Sequence, residues 1–368
     1  MNLDSQRALA WQTYQRLPLP SRRDLEWQRF DLRALNLTDI EKRPQSLRVS
    51  LNAAPGVTLV PLTDQPQLGR AIPADEPNKF AALASALWQY GALLRVPAHH
   101  KADRPLEITY EFTGDNAAAF PRTLVVLESG AEATLIQKFI GSGAGVHASL
   151  TEVFVEEGAR LHYISFQNLA SGALDFTLKR AHIARNAEID WVVGIFGGAL
   201  TRYDVQCVMD GEGGRSFMYG MAVADGRQQI AQFTRQHHRV GNTTSDLLFK
   251  NVLRDRAATN YAGIIKVEKN ANGTNAYQSN RNLVLDKTVQ CDTRPILEIE
   301  SNQLRCTHGA TVGQLDENQL YYLRTRGLDE ITARNTLIAA FLEPVLARIQ
   351  VENVQQEFAE LIHRKAVR

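Results

Sequence analysis

Only three of the 368 residues are cysteine (Cys207, Cys291 and Cys306), and no two of them form a CxxC spacing. Thiols so few and so scattered exclude a disulfide framework and a closed four-cysteine metal site within one chain, and they suggest a reducing compartment. An excess of either charge is also lacking: 41 Lys and Arg stand against 40 Asp and Glu, a formal net charge of +1. That balance gives no broad electrostatic case for nucleic acid or an anionic membrane. No apolar run approaches the roughly 20 residues that cross a bilayer as a helix. The opening Met1-Asn2-Leu3-Asp4-Ser5 lacks the basic-then-apolar order of a secretory signal. The expectation is a cytoplasmic protein with no nucleic-acid or membrane partner. GxxxxGK[ST] and HExxH are absent, and the glycines of Gly194–Gly198 and Asp210–Gly214 lack dinucleotide-loop spacing, so they read as corners. What is present is a 44% hydrophobic, 22% charged composition, that of a folded chain.

Three regions follow from the pattern: 1–95, 96–312 and 313–368. The first is mixed. A helical stretch over residues 3–16 is stopped by Pro18 and Pro20, and Ser21 with Asp24 three residues on resembles a weak cap. Six prolines over residues 42–78 predict loop with one short strand at Val57–Leu62. The 3- and 4-residue spacing of Phe80, Leu83, Leu87 and Tyr90 predicts a helix from Asn78 to Tyr90, ended by Gly91.

The middle region repeats. Gly130-Ala131-Glu132-Ala133-Thr134-Leu135-Ile136 recurs as Gly158-Ala159-Arg160-Leu161-His162-Tyr163-Ile164 and as Asn186-Ala187-Glu188-Ile189-Asp190-Trp191-Val192, with weaker copies at Gly213 and Gly241. Alternating stretches at Leu150–Val155, Phe176–Ile183, Tyr203–Met209 and Gln232–His238 fall between them. Short strands at a fixed 27–28-residue phase, with no helices between, predict stacked coils whose apolar faces are buried only by their neighbours. A β-sandwich explains the strand spacing but not the constant phase. The fold expected is mainly β, a right-handed parallel β-helix with helical ends.

After Gly313 the period becomes helical. Asp316 with Gln319 forms a capping box, Leu320 and Leu323 share a face, and Gly327 is a stop. A second helix is expected over about Glu330 to Leu342, with Ile331, Leu337, Ile338 and Phe341 aligned and Pro344 limiting or kinking it. A third carries Val351, Val354, Phe358, Leu361 and Ile362. These helices are expected to cap one end of the β-core, to offer a face to a partner, or both. Leu320, Leu323, Leu337 and Phe341 are the candidate partner-binding positions.

No catalytic set emerges. His237 and His238, being adjacent, would point to opposite faces of a strand. Cys207 alternates with Val205 and Met209, and Cys291 with Val289, which predicts core packing for both thiols. Cys306 and His308 share one face if residues 304–308 are extended, and sulfur with imidazole would supply half of an iron or zinc site. Leu304 lies on that face too, so a packed thiol and an end-of-core histidine fit the same pattern.

The stretch Cys306-Thr307-His308-Gly309-Ala310-Thr311-Val312-Gly313, followed by Gln314-Leu315-Asp316, resembles the signature of the SufD family of iron–sulfur cluster assembly proteins. Arg22-Arg23-Asp24-Leu25-Glu26-Trp27 resembles that family's N-terminal element, Pro295-Ile296-Leu297-Glu298-Ile299 the strand before its signature, and Leu323-Arg324-Thr325-Arg326-Gly327 the helix and stop after it. The resemblance is strongest over roughly 120–350. It implies a parallel β-helix, and a noncatalytic scaffold subunit that supports iron acquisition and pairs with SufB and with the ATPase SufC. Sulfur would come indirectly from a cysteine desulfurase system. It implies transient iron or a nascent cluster at an interface shared with SufB, with His308 and Cys306 as the candidate metal residues, and a SufC-binding region at about 316–350. Flavin is associated with the assembled complex, although no flavin motif occurs here. SufB shares the architecture, and Cys-Thr-His-Gly-Ala-Thr favours SufD over the Glu-His-Glu-Ala-Thr type of SufB. A SufB-like scaffold and a carbohydrate-active β-helix enzyme are the alternatives.

Overall fold

The computed structural model describes residues 2–21, 23–24, 27, 30, 32 and 35–366. Arg22, Leu25 and Glu26 of the N-terminal motif lie outside the described residues. Within it, the Asp24 carboxylate accepts from the Ser21 backbone N–H at 2.7 Å, the bond a capping box makes, but here it closes a turn.

Helix α1 (Leu3–Arg16) is followed by strands β1 (Leu47–Asn52) and β2 (Thr58–Pro61), helix α2 (Lys79–Leu87), then β3 (Gly91–Val96), β4 (Leu106–Phe112), β5 (Ala118–Ala119), β6 (Arg122–Leu127), β7 (Glu132–Gly141), β8 (Val146–Val155) and β9 (Arg160–Asn168). The strands continue as β10 (Leu174–Ile183), β11 (Glu188–Ile195), β12 (Leu200–Met209), β13 (Arg215–Ala224), β14 (Gln229–His238), β15 (Thr244–Leu253), β16 (Ala258–Val267), β17 (Thr274–Val284), β18 (Gln290–Ile299) and β19 (Leu304–Gly313). Helices α3 (Glu317–Thr325), α4 (Glu330–Leu346) and α5 (Glu352–Ala366) close the chain.

From β7 onward, odd strands form one sheet and even strands the other, each pairing in parallel with the strand two places on. This is a right-handed parallel β-helix. Its corners explain the repeat. Gly130, Gly158, Asn186 and Gly213 all have positive φ, a conformation only Gly and, less readily, Asn adopt at low cost. The next corner corrects the sequence reading. Asn242, not Gly241, takes the left-handed angle, because that coil carries one extra residue; Gly241 is needed for room, since a Cβ there would sit 2.5 Å from the Asn272 carbonyl oxygen.

Between the sheets the side chains stack in columns. Tyr163 and Trp191, one coil apart, stack at 4.5 Å between centroids and are fully buried. Burying side chains of this size contributes about 1.5–3 kcal/mol each. Cys207 lies in the same core, where Trp191 Nε1–H donates to its sulfur at 3.1 Å and burial pushes the thiol up to about 12. His238 points inward and hydrogen-bonds Thr243 and Ser245, while His237 points outward to Glu268, as their adjacency requires.

His238 sets a pH dependence. Burial lowers its pKa from 6.5 to about 3. The unfolded chain therefore binds a proton that the folded chain refuses, so stability falls as pH drops below about 6.5. By pH 5 the loss is about 2 kcal/mol. Thermal melts from pH 7.5 to 5 should show a fall in Tm that His238→Gln reduces, and equal slopes for the two proteins would reject the assignment.

Three N-terminal expectations need correction. Strand β1 was hidden among prolines, yet its burial alternates and it pairs antiparallel with β4. Helix α2 stops at Leu87, short of Tyr90, and Gly91 opens β3 instead of ending the helix, because a Cβ there would meet the Arg122 carbonyl oxygen at 2.3 Å. The N-terminal segment is bolted to the even-strand sheet. Glu152, fully buried on β8, pairs with Arg122 at 2.6 Å and accepts from the backbone N–H groups of Gly69, Ala71 and Ile72. Arg180 grips Glu76 through both terminal nitrogens at 2.9 Å.

At the other terminus, helix α4 runs through Pro344 to Leu346, beyond the expected stop at Leu342. Pro344 sits in the last turn, and buried Leu342, Val345 and Leu346 hold the helix there. Ile331 falls off the expected stripe and is 59% exposed. Nor do the helices cap an end of the solenoid. The second half of α4 and α5 lie across the outer face of the odd-strand sheet, where Ile164, Phe166, Val192 and Phe196 need cover. Phe358 meets both Phe166 and Phe196 edge-on. Among the described residues, no strand pairs beyond the last coil, which is left open.

Candidate functional site

The open end is made by β18 and β19. Each is the terminal strand of its sheet, bonded only to β16 or β17 within the two sheets, so its far edge presents unpaired backbone N–H and C=O groups. The apolar column ends uncovered as well. Leu297, Leu304 and Cys306 are only half-buried against Ile265, Val267, Ala271 and Ala276, while Ile299 and Val312 are exposed.

Cys306 and His308 occupy alternate positions of β19, in register with buried Ala276 and Gln278 of β17. The two residues therefore share the inward face that sequence alternation assigned to them. Their surroundings differ. Cys306 packs into the apolar end of the column, and burial raises its thiol pKa. His308 is exposed, and among the described residues its ring makes no hydrogen bond or ion pair. Cys291 lies across the lumen on β18, where the Thr259 hydroxyl donates to its sulfur at 3.4 Å and burial raises its pKa.

Among the described residues, no three His, Cys, Asp or Glu side chains gather to hold a metal ion. One sulfur and one imidazole on an open edge are half of a tetrahedral donor set. A metal bound there would have to displace the Cys306 proton and draw its other ligands from outside the chain.

Of the helical positions singled out in the sequence, Leu320 is buried and Leu323, Leu337 and Phe341 are half-buried. Phe341 faces the solenoid: Lys250 Nζ stands 4.6 Å from its ring and donates to its carbonyl oxygen. The surface these helices do expose is Tyr321 (70%), Tyr322 (57%) and Ile331 (59%), with Arg326 stacked on Tyr322. The adjacent Tyr321-Tyr322 pair on a short helix was the available signal for it. Among the described residues, no helix is long and apolar enough to cross a membrane.

A family model described as "SUF system FeS cluster assembly, SufBD core domain" matches residues 110–341, the stretch that holds most of the solenoid, the open end, helix α3 and most of α4. The chain belongs to the SufBD family. Curated proteins from Staphylococcus saprophyticus, Staphylococcus aureus and Staphylococcus epidermidis, each named an iron-sulfur cluster assembly SufBD family protein, are 30% identical to it over 284 residues. The match covers 76% of this chain and 61% of each relative, so this SufBD-family chain spans less than two thirds of the relatives' length.

Proposed function

We propose that this SufBD-family chain is a noncatalytic scaffold subunit for iron–sulfur cluster assembly, of the SufD type. Its open coil would meet a second β-helix subunit, SufB, and the nascent cluster or its iron would be cargo held between them, with no stably bound cofactor in the isolated chain. The observation that carries this reading is the His308 ring, exposed and, among the described residues, unpaired on an edge that none of them covers. A scaffold that only packed against itself would have no use for an apolar column ending in free strand edges. Cys306 beside it supplies a second donor, and ligands from the facing subunit would complete the set.

The helical face of Tyr321, Tyr322 and Ile331 supports a docking site for SufC, the ATPase partner. Large aromatic side chains with an adjacent arginine are the residues that dominate protein–protein contacts. Leu323 and Leu337, half-buried on the same two helices, would add apolar contact. ATP-driven pairing of two SufC subunits moves the scaffold only if SufC binds its two conformations with different affinity. A cysteine desulfurase system would supply the sulfur, cytoplasmic location follows from that partnership, and any flavin would belong to the assembled complex.

Anaerobic isolation of the native complex, followed by subunit, iron and labile-sulfide analysis, tests the proposal. A second β-helix chain and an ATPase should copurify with this chain, and iron and sulfide should appear with all three. A purified chain that is homo-oligomeric and carries neither partner would reject it.

A further inference from the structure

Four histidine–carboxylate pairs bridge neighbouring coils of the solenoid, and one of them is unlike the rest. His147–Asp175, His182–Asp210 and His237–Glu268 are closed at 2.6, 2.5 and 2.7 Å. His162 and Asp190, in register on β9 and β11, stand open at 3.4 Å between Nδ1 and Oδ2. Among the described residues, neither His162 ring nitrogen has a hydrogen-bond partner although both are buried, and Asp190 Oδ1 is equally buried and unpaired. Both residues line a cavity of about 310 Å³ on the outer face of the odd-strand sheet, which Gln350 also lines.

Buried polar atoms without partners carry a penalty of about 1–3 kcal/mol each, so three of them on two neighbouring side chains call for an occupant. The spacing indicates which. A separation of 3.4 Å is long for a hydrogen bond. Two ligands held about 2.1 Å from one ion at the tetrahedral angle stand about 3.4 Å apart. Imidazole nitrogen with carboxylate oxygen is a donor pair suited to divalent transition metals. The other two carboxylates of the cavity are engaged: Glu132 pairs with Lys101 at 2.8 Å and Glu188 with Arg215 at 2.7 Å.

We propose that His162 and Asp190 form a divalent transition-metal site on the outer face of the solenoid, with water completing the coordination. It stands on this pair's geometry and does not rest on the proposed function. With two protein ligands and open positions, the site would load and release its ion readily. Arg348 competes for the same oxygen: its Nη2 lies 3.6 Å from Asp190 Oδ2, and its guanidinium sits over the Tyr219 ring at 4.1 Å.

Titration of the purified full chain with Co²⁺, followed by visible absorption, tests this. The wild type should bind one equivalent with a nitrogen/oxygen-ligand spectrum that lacks the thiolate charge-transfer band. His162→Gln and Asp190→Asn should each weaken binding about tenfold or more. Neither removes a hydrogen bond made by the native side chain at that position, and circular dichroism should be unchanged. Arg348→Gln should tighten binding, a readout that does not depend on removing a ligand. His182→Gln, which replaces a ring already closed on Asp210 one coil on, should leave it unaltered. Binding no tighter in the wild type than in Asp190→Asn, a thiolate band lost in Cys306→Ser, or unchanged or weaker binding in Arg348→Gln would overturn the assignment, leaving water as the occupant.

Discussion

Glu152→Ala should destabilise the protein by about 3–5 kcal/mol and release the N-terminal segment from the solenoid. The carboxylate is fully buried, and so is Arg122, its partner at 2.6 Å. Removing it strands a guanidinium whose Nε already lacks a partner, and takes the acceptor from three backbone N–H groups at Gly69, Ala71 and Ile72. The cost is set mainly by the stranded charge, so it should be partly recovered in the Glu152→Ala/Arg122→Met double variant. A double-mutant cycle on denaturant midpoints checks this. Limited proteolysis should cut the 64–78 loop faster in the single variant. A loss below 1 kcal/mol would mean that water reaches Arg122.

His308→Ala should do the opposite: little to the fold and much to cluster formation. The ring is exposed and makes no contact that the fold relies on, so stability should stay within about 0.5 kcal/mol of wild type. If His308 is a ligand at a shared site, cluster yield in the reconstituted complex should fall about tenfold or more. Subunit stoichiometry should not change. Thr307→Ala, one residue away on the opposite face, should keep normal yield. Normal yield in His308→Ala would remove the ligand role.

The solenoid was legible because one physical device repeats. Gly130, Gly158, Asn186 and Gly213 each turn a corner through positive φ, and the strands between them alternate. The phase slipped at Asn242, where a coil gains a residue and asparagine replaces glycine. Strand β1 was missed because prolines on both sides outweighed a six-residue alternation. The extent of α4 was not legible, since burial of Val345 and Leu346 against a distant sheet outweighs the local effect of Pro344. The Glu152 anchor joins residues some 80 positions apart and leaves no local trace. The histidine pairs did leave one. His147–Asp175, His162–Asp190 and His182–Asp210 are each one 28-residue coil apart, so a known period makes them predictable neighbours. The face shared by Cys306 and His308 was legible from alternation alone, but the exposure of His308 was not, because it depends on the solenoid stopping there.

Amide hydrogen exchange over residues 290–313, in the isolated chain and in the assembled complex, examines that stopping point. The free edges of β18 and β19 should exchange quickly in isolation and become protected when the proposed second β-helix subunit binds. Protection confined to the helices, with the strand edges still exchanging freely in the complex, would show that the end of the solenoid is not the joining surface.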